Sequence, residues 1–153
     1  MDIKFHEAKR FEQFIVLIDF DKTICDSKFP LLGEAYLFAK EVINHWYAQG
    51  IYIIINTCRT GEGQLEAEAW LLEKGFNFHK INGHHPNGLL NYGSDVRKEL
   101  GLDSRKIWGH VNIDDTNIDW VLNGHPGWKS LDTSMQKIIE GLGKDNRFGL
   151  LPS

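Results

Sequence analysis

Cysteine is scarce in this sequence. Its 153 residues carry only Cys25 and Cys58, which have no metal-type spacing. That argues against a disulfide-stapled scaffold and fits a reducing, cytoplasmic setting. Long apolar runs are missing as well. No stretch approaches the roughly 20 residues that a membrane-spanning helix needs. The opening segment, Met1 to Glu12, is too charged and mixed to read as a secretory signal. Nor is there an excess of positive charge. Lys and Arg total 17 against 21 Asp and Glu, giving a net charge of −4 and a pI near 5.9. The chain therefore lacks the electrostatic footprint of a nucleic-acid binder. It shows no internal repeat and no low-complexity tract.

What is present is ordinary in amount: 42% hydrophobic and 25% charged residues, long enough for one domain with a real core. The expected unit is a single domain over residues 1–153, with its core between about 14 and 142. The apolar run 14–20 predicts a first strand, buried on both faces and so central and parallel. Ala35, Leu37, Phe38, Val42, Ile43 and Trp46 recur at helical spacing and predict a helix from Leu32 to Gln49, stopped by Gly50. Ile51 to Asn56 reads as a second strand. Gln64 to Lys74 reads as a second helix with Leu65, Ala69, Leu71 and Leu72 on its apolar face, and Phe76 to His79 as a short third strand. Residues 82–94 form a Gly/Asn/His/Pro-rich loop, 95–101 a short helix, and Ile107 to Ile113 a fourth strand interrupted by Gly109. A fifth short strand near Trp128 to Leu131 and a last helix over Thr133 to Leu142 complete the series. Strands alternating with helices imply an α/β fold with a parallel sheet and right-handed crossovers.

The first strand ends in two carboxylates one residue apart, in Ile18-Asp19-Phe20-Asp21-Lys22-Thr23. In a strand, residues i and i+2 point to one side. Asp19 and Asp21 are thus expected at the carboxyl end of a buried strand, where open α/β sheets bind ligands. Two anions that close call for a shared proton or a cation, most simply a divalent metal with oxygen ligands. Further polar clusters follow the other strands: Thr57-Cys58-Arg59-Thr60-Gly61-Glu62 after the second and Asp114-Asp115 after the fourth. All three converge at one edge of the sheet. Taken singly, an Asp pair more often marks a turn or a helix cap, and Thr57 a turn. Their shared place after strands favours one site.

The sequence order Asp19-x-Asp21-x-Thr23, Thr57, Lys106, Asp114-Asp115 resembles the four motifs of the haloacid dehalogenase (HAD) superfamily of phosphatases and phosphotransferases. The resemblance spans about residues 14–131 and implies a three-layer α/β/α Rossmann-like fold with a mainly parallel central sheet. It implies a Mg²⁺-dependent phosphatase in which Asp19 attacks phosphorus to form an aspartyl-phosphate and Asp21 is the general acid and base. The implied Mg²⁺ ligands are Asp19, the backbone carbonyl of Asp21, and Asp114. Asp115, and more weakly Asp119, would hold metal-bound water. Thr57 would donate a hydrogen bond to the phosphoryl group, Lys106 would neutralise it, and Thr23 would order the loop after the first strand. The chain departs from the family at Lys22, where glycine is frequent, and at Lys106, which lies close to the fourth strand. Lys98 and Arg97 are rivals for its role.

Other residues carry two readings each. Arg59 suits substrate recognition through its bidentate fork, or pairs locally with Glu62. Cys25 and Cys58 form a redox pair near the site, or are two ordinary thiols. His84-His85 line a substrate entrance, or are exposed or hydrogen-bonded locally. Trp46 and Trp70 belong to the core. Neither gap, 24–56 or 58–105, leaves room for a folded cap domain, so the chain looks like a small capless member of bacterial or phage type, with loop 82–94 as a partial lid. The substrate is then a small-molecule or macromolecular phosphate ester. The alternatives are phosphotransfer to an acceptor other than water, or a catalytically silent module that keeps the metal site. Carbon–halogen hydrolysis is disfavoured by Asp21. Oligomeric state is not legible.

Overall fold

The computed structural model describes residues 13–85 and 107–145, with side chains through 142. Strand β1, Ile15–Ile18, is apolar on both faces and wholly buried, as a central parallel strand requires. It pairs in parallel with β2, Tyr52–Ile55, on one side and with β4, Val111–Ile113, on the other. The short β3, Lys80–Ile81, extends the sheet beyond β2, giving the order β3-β2-β1-β4. The chain therefore moves outward from β1 to β3 and then crosses back past β1. The crevice between β1 and β4 is the point where strand order reverses, and ligands of open α/β sheets bind at such points.

The helices flank this sheet. Helix α1 spans Ala39–Ala48, α2 Gly61–Glu73, α3 Ile118–Asn123 and α4 Trp128–Asp145. Val16 and Ile18 of β1 join Ala39, Val42, Ile43 and Trp46 of α1, Ala67, Trp70 and Leu71 of α2, and Trp128 and Met135 of α4 in one core. The alternate residues Ile15 and Leu17 join Tyr52, Ile54 and Ile107 in a second, smaller cluster. An all-parallel sheet with flanking helices is an α/β fold, in keeping with a Rossmann-like three-layer arrangement. Burying each large aliphatic side chain contributes about 1.5–3 kcal/mol. Trp46 adds a hydrogen bond from its Nε1 to Asp132 at 2.8 Å, which ties α1 to α4.

Several elements differ from the sequence expectation. Residues 32–38 are not helical. The chain from 25 to 35 folds back on itself, with antiparallel bridges Cys25–Ala35 and Lys28–Leu31 and the Asp26 N–H donated to the Glu34 carbonyl at 2.8 Å. Those bonds occupy the backbone groups that a helix would need, so α1 starts only at Ala39. The apolar face of α2 is Ala67, Trp70 and Leu71. Leu65 and Leu72, expected inside, are exposed, and Ala69 is exposed too. No fifth strand forms at Trp128–Leu131, which is instead the first turn of α4.

The outer strands begin late, and for a common reason. His79 precedes β3 and His110 precedes β4. Each donates its backbone N–H to a central strand, His79 to the Ile53 carbonyl at 2.9 Å and His110 to the Ile15 carbonyl at 2.8 Å. Each then uses its ring Nδ1 to accept the N–H of that same residue, at 3.0 Å from Ile53 and 2.9 Å from Ile15. The imidazole takes the place of a strand carbonyl, and the regular ladder starts one residue later. The third strand, expected at Phe76–His79, therefore lies at Lys80–Ile81, and the fourth is shortened to Val111–Ile113. Gly109 permits the approach, since a Cβ there would lie 2.8 Å from Leu17 Cγ.

Candidate active site

Asp19 stands one residue beyond β1, and its N–H is donated to the Ile113 carbonyl of β4 at 2.9 Å. This bond continues the ladder past both strand ends and brings Asp114 and Asp115 beside Asp19. The three residues each offer a carboxylate oxygen, and these atoms all lie within 4.8 Å of one another. Burial raises the proton affinity of Asp19. A side-chain hydrogen bond with Asp115 and the negative charge of Asp114 add to the effect, and together they push the Asp19 carboxyl up to about 8, against the opposing hydrogen bond from Thr23. Carboxylates crowded in this way fit a hard divalent cation, which takes oxygen ligands and relieves the repulsion. Asp114 is oriented by Thr116, whose N–H and hydroxyl both donate to its Oδ1, at 3.0 and 2.9 Å.

Thr23 joins the two acidic loops. Fully buried, it donates its hydroxyl to Asp19 Oδ2 at 3.0 Å and accepts the Asp115 N–H at 3.1 Å. Its carbonyl accepts from Trp128 Nε1 and from His125 Nε2, both at 3.0 Å. His125 Nδ1 accepts the Gly127 N–H at 2.9 Å, which leaves Nε2 as the protonated nitrogen. The ring lies 4.5 Å from both Tyr36 and Trp120. Nothing in the local sequence singles out His125, because its partners come from remote parts of the chain.

Asp21 does not join the acidic cluster through its side chain. Its Oδ1 accepts from Ser27 Oγ at 2.5 Å, from Arg59 Nη2 at 2.7 Å and from Arg59 Nε at 3.2 Å, while Oδ2 accepts from Nε at 2.9 Å. Burial alone would raise its proton affinity. The hydrogen bonds from Arg59 and Ser27, with the guanidinium charge, outweigh that and hold Asp21 below the usual carboxylate range. Arg59 itself is only 3% exposed. Its Nη1 donates to the Pro30 carbonyl at 3.0 Å, and its guanidinium carbon lies 5.0 Å from the Phe29 ring centre. The residue offered by the sequence as a substrate contact, or as a partner of Glu62, is turned inward onto Asp21.

Thr57 follows β2 as expected and is buried. Its Oγ1 accepts the Arg59 N–H at 3.1 Å, so its own proton remains to be donated. Asn82 braces this loop. Its Oδ1 accepts the Thr57 N–H at 2.8 Å, and its Nδ2 donates to the Arg59 carbonyl at 3.3 Å and to Gln64 Oε1 at 3.1 Å. Asn82 adopts φ 49°, a left-handed conformation that asparagine tolerates. The Asn-Gly pair at 82–83 signals a turn, and that turn anchors the site loop.

Asp119 stays apart, exposed in the first turn of α3, its N–H donated to the capping Asn117 side chain. His85 is buried, edge-on to Tyr52 at 4.3 Å, rather than exposed. Cys25 is a buried free thiol whose proton affinity is raised, chiefly by burial, and Cys58 is a free, exposed thiol. Lys106, with its rivals Lys98 and Arg97, lies outside the described residues, as does most of loop 82–94. Among the described residues no helix is long and apolar enough to cross a membrane.

No protein-family model and no curated protein matches the chain. Among solved structures it is similar to a conserved protein of Bacteroides thetaiotaomicron, with a TM-score of 0.66 and 26% identity. The match covers 82% of this chain and 91% of that one, so the shared architecture extends over most of both.

Proposed function

We propose that the chain is a HAD-like, Mg²⁺-dependent phosphatase that hydrolyses a phosphate monoester through Asp19. The observation that carries this reading is the meeting of Asp19, Asp114 and Asp115 within 4.8 Å at the point where strand order reverses. The order of motifs along the sequence supports it. Asp19, Asp114 and Asp115, with the backbone carbonyl of Asp21, would hold the Mg²⁺. Bound there, the ion supplies positive charge that keeps Asp19 ionised and balances the phosphoryl oxygens.

An Asp19 oxygen attacks phosphorus and forms the aspartyl-phosphate, while the bond from phosphorus to the leaving oxygen breaks. Asp21 gives its proton to that oxygen. In the second half-reaction Asp21 takes a proton from water, whose oxygen attacks phosphorus and releases Asp19. Held ionised by Arg59 and Ser27, Asp21 is ready for the second step. An arriving phosphate dianion raises its proton affinity for the first. Thr57 donates its hydroxyl proton to the phosphoryl group, and Lys106 neutralises that group by resemblance.

The test is hydrolysis of p-nitrophenyl phosphate and a panel of phosphate esters, with and without Mg²⁺, by the wild type and Asp19→Asn. Metal-dependent turnover lost in the variant is expected. A wild type silent on every ester, and stabilised thermally by Mg²⁺ but no further by beryllofluoride, would leave the metal-holding regulatory module as the better reading.

A further inference from the structure

Three observations converge on Arg59. First, it is 3% exposed, and a buried guanidinium stands only where its charge and donors are matched. Its match is Asp21, reached through a fork of Nε and Nη2. A fork fixes the plane of a carboxylate as well as its distance, which a single point charge does not. Second, its remaining nitrogen, Nη1, holds the Pro30 carbonyl at the tip of the 25–35 hairpin, and its flat face lies against Phe29, 5.0 Å from the ring centre. That hairpin also supplies Ser27, the other donor to Asp21. Third, the backbone of Arg59 is held between Thr57 Oγ1 and the Asn82 amide, so the arginine starts from a braced loop after β2.

Both Asp21 oxygens accept from Arg59. Oδ1 takes Ser27, Nη2 and Nε, Oδ2 takes Nε, and the Asp21 backbone N–H adds a further bond to the carboxylate.

We infer that Arg59 is a positioning residue that locks the hairpin onto Asp21 and presents the Asp21 carboxyl group to the leaving group in a fixed plane. This rests on the reading of Asp21 as leaving-group acid. In the step concerned, the phosphorus–oxygen bond to the leaving group breaks, the Asp21 carboxyl proton moves to that oxygen, and Asp19 gains the bond to phosphorus. The need for the proton depends on the ester. An alkoxide cannot depart unprotonated, whereas p-nitrophenolate can.

The experiment compares kcat/KM for p-nitrophenyl phosphate and for a glycerol phosphate in the wild type, Arg59→Lys, Arg59→Gln and Ser27→Ala, all with Mg²⁺. The ratio kcat/KM reports leaving-group departure and not the later hydrolysis of the phosphoenzyme. The arginine variants should lose about 10²-fold or more on the alkyl ester, the scale of general-acid catalysis, and less than about tenfold on the aryl ester. Ser27→Ala should show the same bias more weakly while leaving the guanidinium in place. Equal losses on both esters, as from a damaged fold, overturn the inference, and so does full activity of Arg59→Lys on the alkyl ester.

A second readout needs no turnover and so separates this inference from the phosphatase reading. Hydrogen exchange at the Asp26 and Leu31 amides of the hairpin, which donate to the Glu34 and Lys28 carbonyls, should accelerate at least about tenfold in Arg59→Gln. Unchanged exchange there overturns the locking role.

Discussion

One hydroxyl, that of Thr23, stands between Asp19 and the backbone of Asp115, 92 residues further along the chain. It donates to the first and accepts from the second, so one buried group adds to the Asp19–Ile113 backbone bond in setting the loops after β1 and β4 relative to each other. Replacing it with valine keeps the shape and removes both bonds. The Asp115 N–H then loses its partner, which costs about 1 kcal/mol, the lower end of the range, for a donor that is only partly buried. Thr23→Val is expected to lower the urea-unfolding free energy by that amount and to weaken Mg²⁺ binding. Unaltered values for both would show that the loops are held by other contacts.

Metal binding should be linked to protons. With the Asp19 carboxyl pushed up to about 8, the folded chain binds a proton that the unfolded chain releases near 4. The metal-free protein is therefore expected to lose stability as pH rises from about 4 to about 8. Mg²⁺ should reverse that loss, releasing about one proton per ion bound at pH 7. Calorimetry in buffers of different ionisation enthalpy counts the proton. Asp114→Asn should abolish the Mg²⁺-dependent rise in melting temperature, which at a hundredfold excess over Kd corresponds to about 2.7 kcal/mol in the wild type.

The histidines that begin the outer strands make the sheet sensitive to acid in the opposite sense. Burial lowers the proton affinity of both rings, that of His110 to about 4. A protonated ring would have no lone pair for the N–H of Ile15 or Ile53. The folded chain resists a proton that the unfolded chain takes up near 6.5, so this contribution is complete above 6.5 and is lost as pH falls toward 4. Urea unfolding at pH 7, 5 and 4 should show a steeper decline for the wild type than for His110→Gln, whose side-chain carbonyl accepts at any pH. Parallel declines would remove His110 from the acid response.

Gly33 is the hinge of the hairpin's return. A Cβ there would overlap the Asp26 carbonyl oxygen, a contact that only backbone movement relieves. Gly33→Ala should cost on the order of 3 kcal/mol, the upper end of the overpacking range, and expose the hairpin to proteolysis near Phe29. A proteolytic pattern like that of the wild type would mean the hairpin is tolerant of displacement.

Local pattern carried much of this molecule. The apolar run at Ile15–Ile18, the isoleucines of β2 and the glycines at 50 and 75 mark elements whose causes lie within a few residues, and they stand where the sequence puts them. The acidic cluster was legible for the same reason: Asp19 and Asp114 each follow a strand, and parallel pairing carries strand ends to one edge. The late start of β3 and β4 was not legible, because it depends on an imidazole meeting the N–H of another strand. The hairpin at 25–35 was hidden by residues whose spacing also suits a helix, and pairing across the turn decided between them.

The sequence by itself determined the α/β class, the parallel sheet and the acids that could meet beyond it, since hydrophobic period and strand-end position are properties of the chain alone. Only the tertiary structure decided what Arg59 does. A guanidinium is equally suited to a substrate, to Glu62 or to Asp21, and the choice fell to packing. Burial under Phe29 and Pro30 removes water from its donors and leaves the Asp21 carboxylate as the charge that balances it.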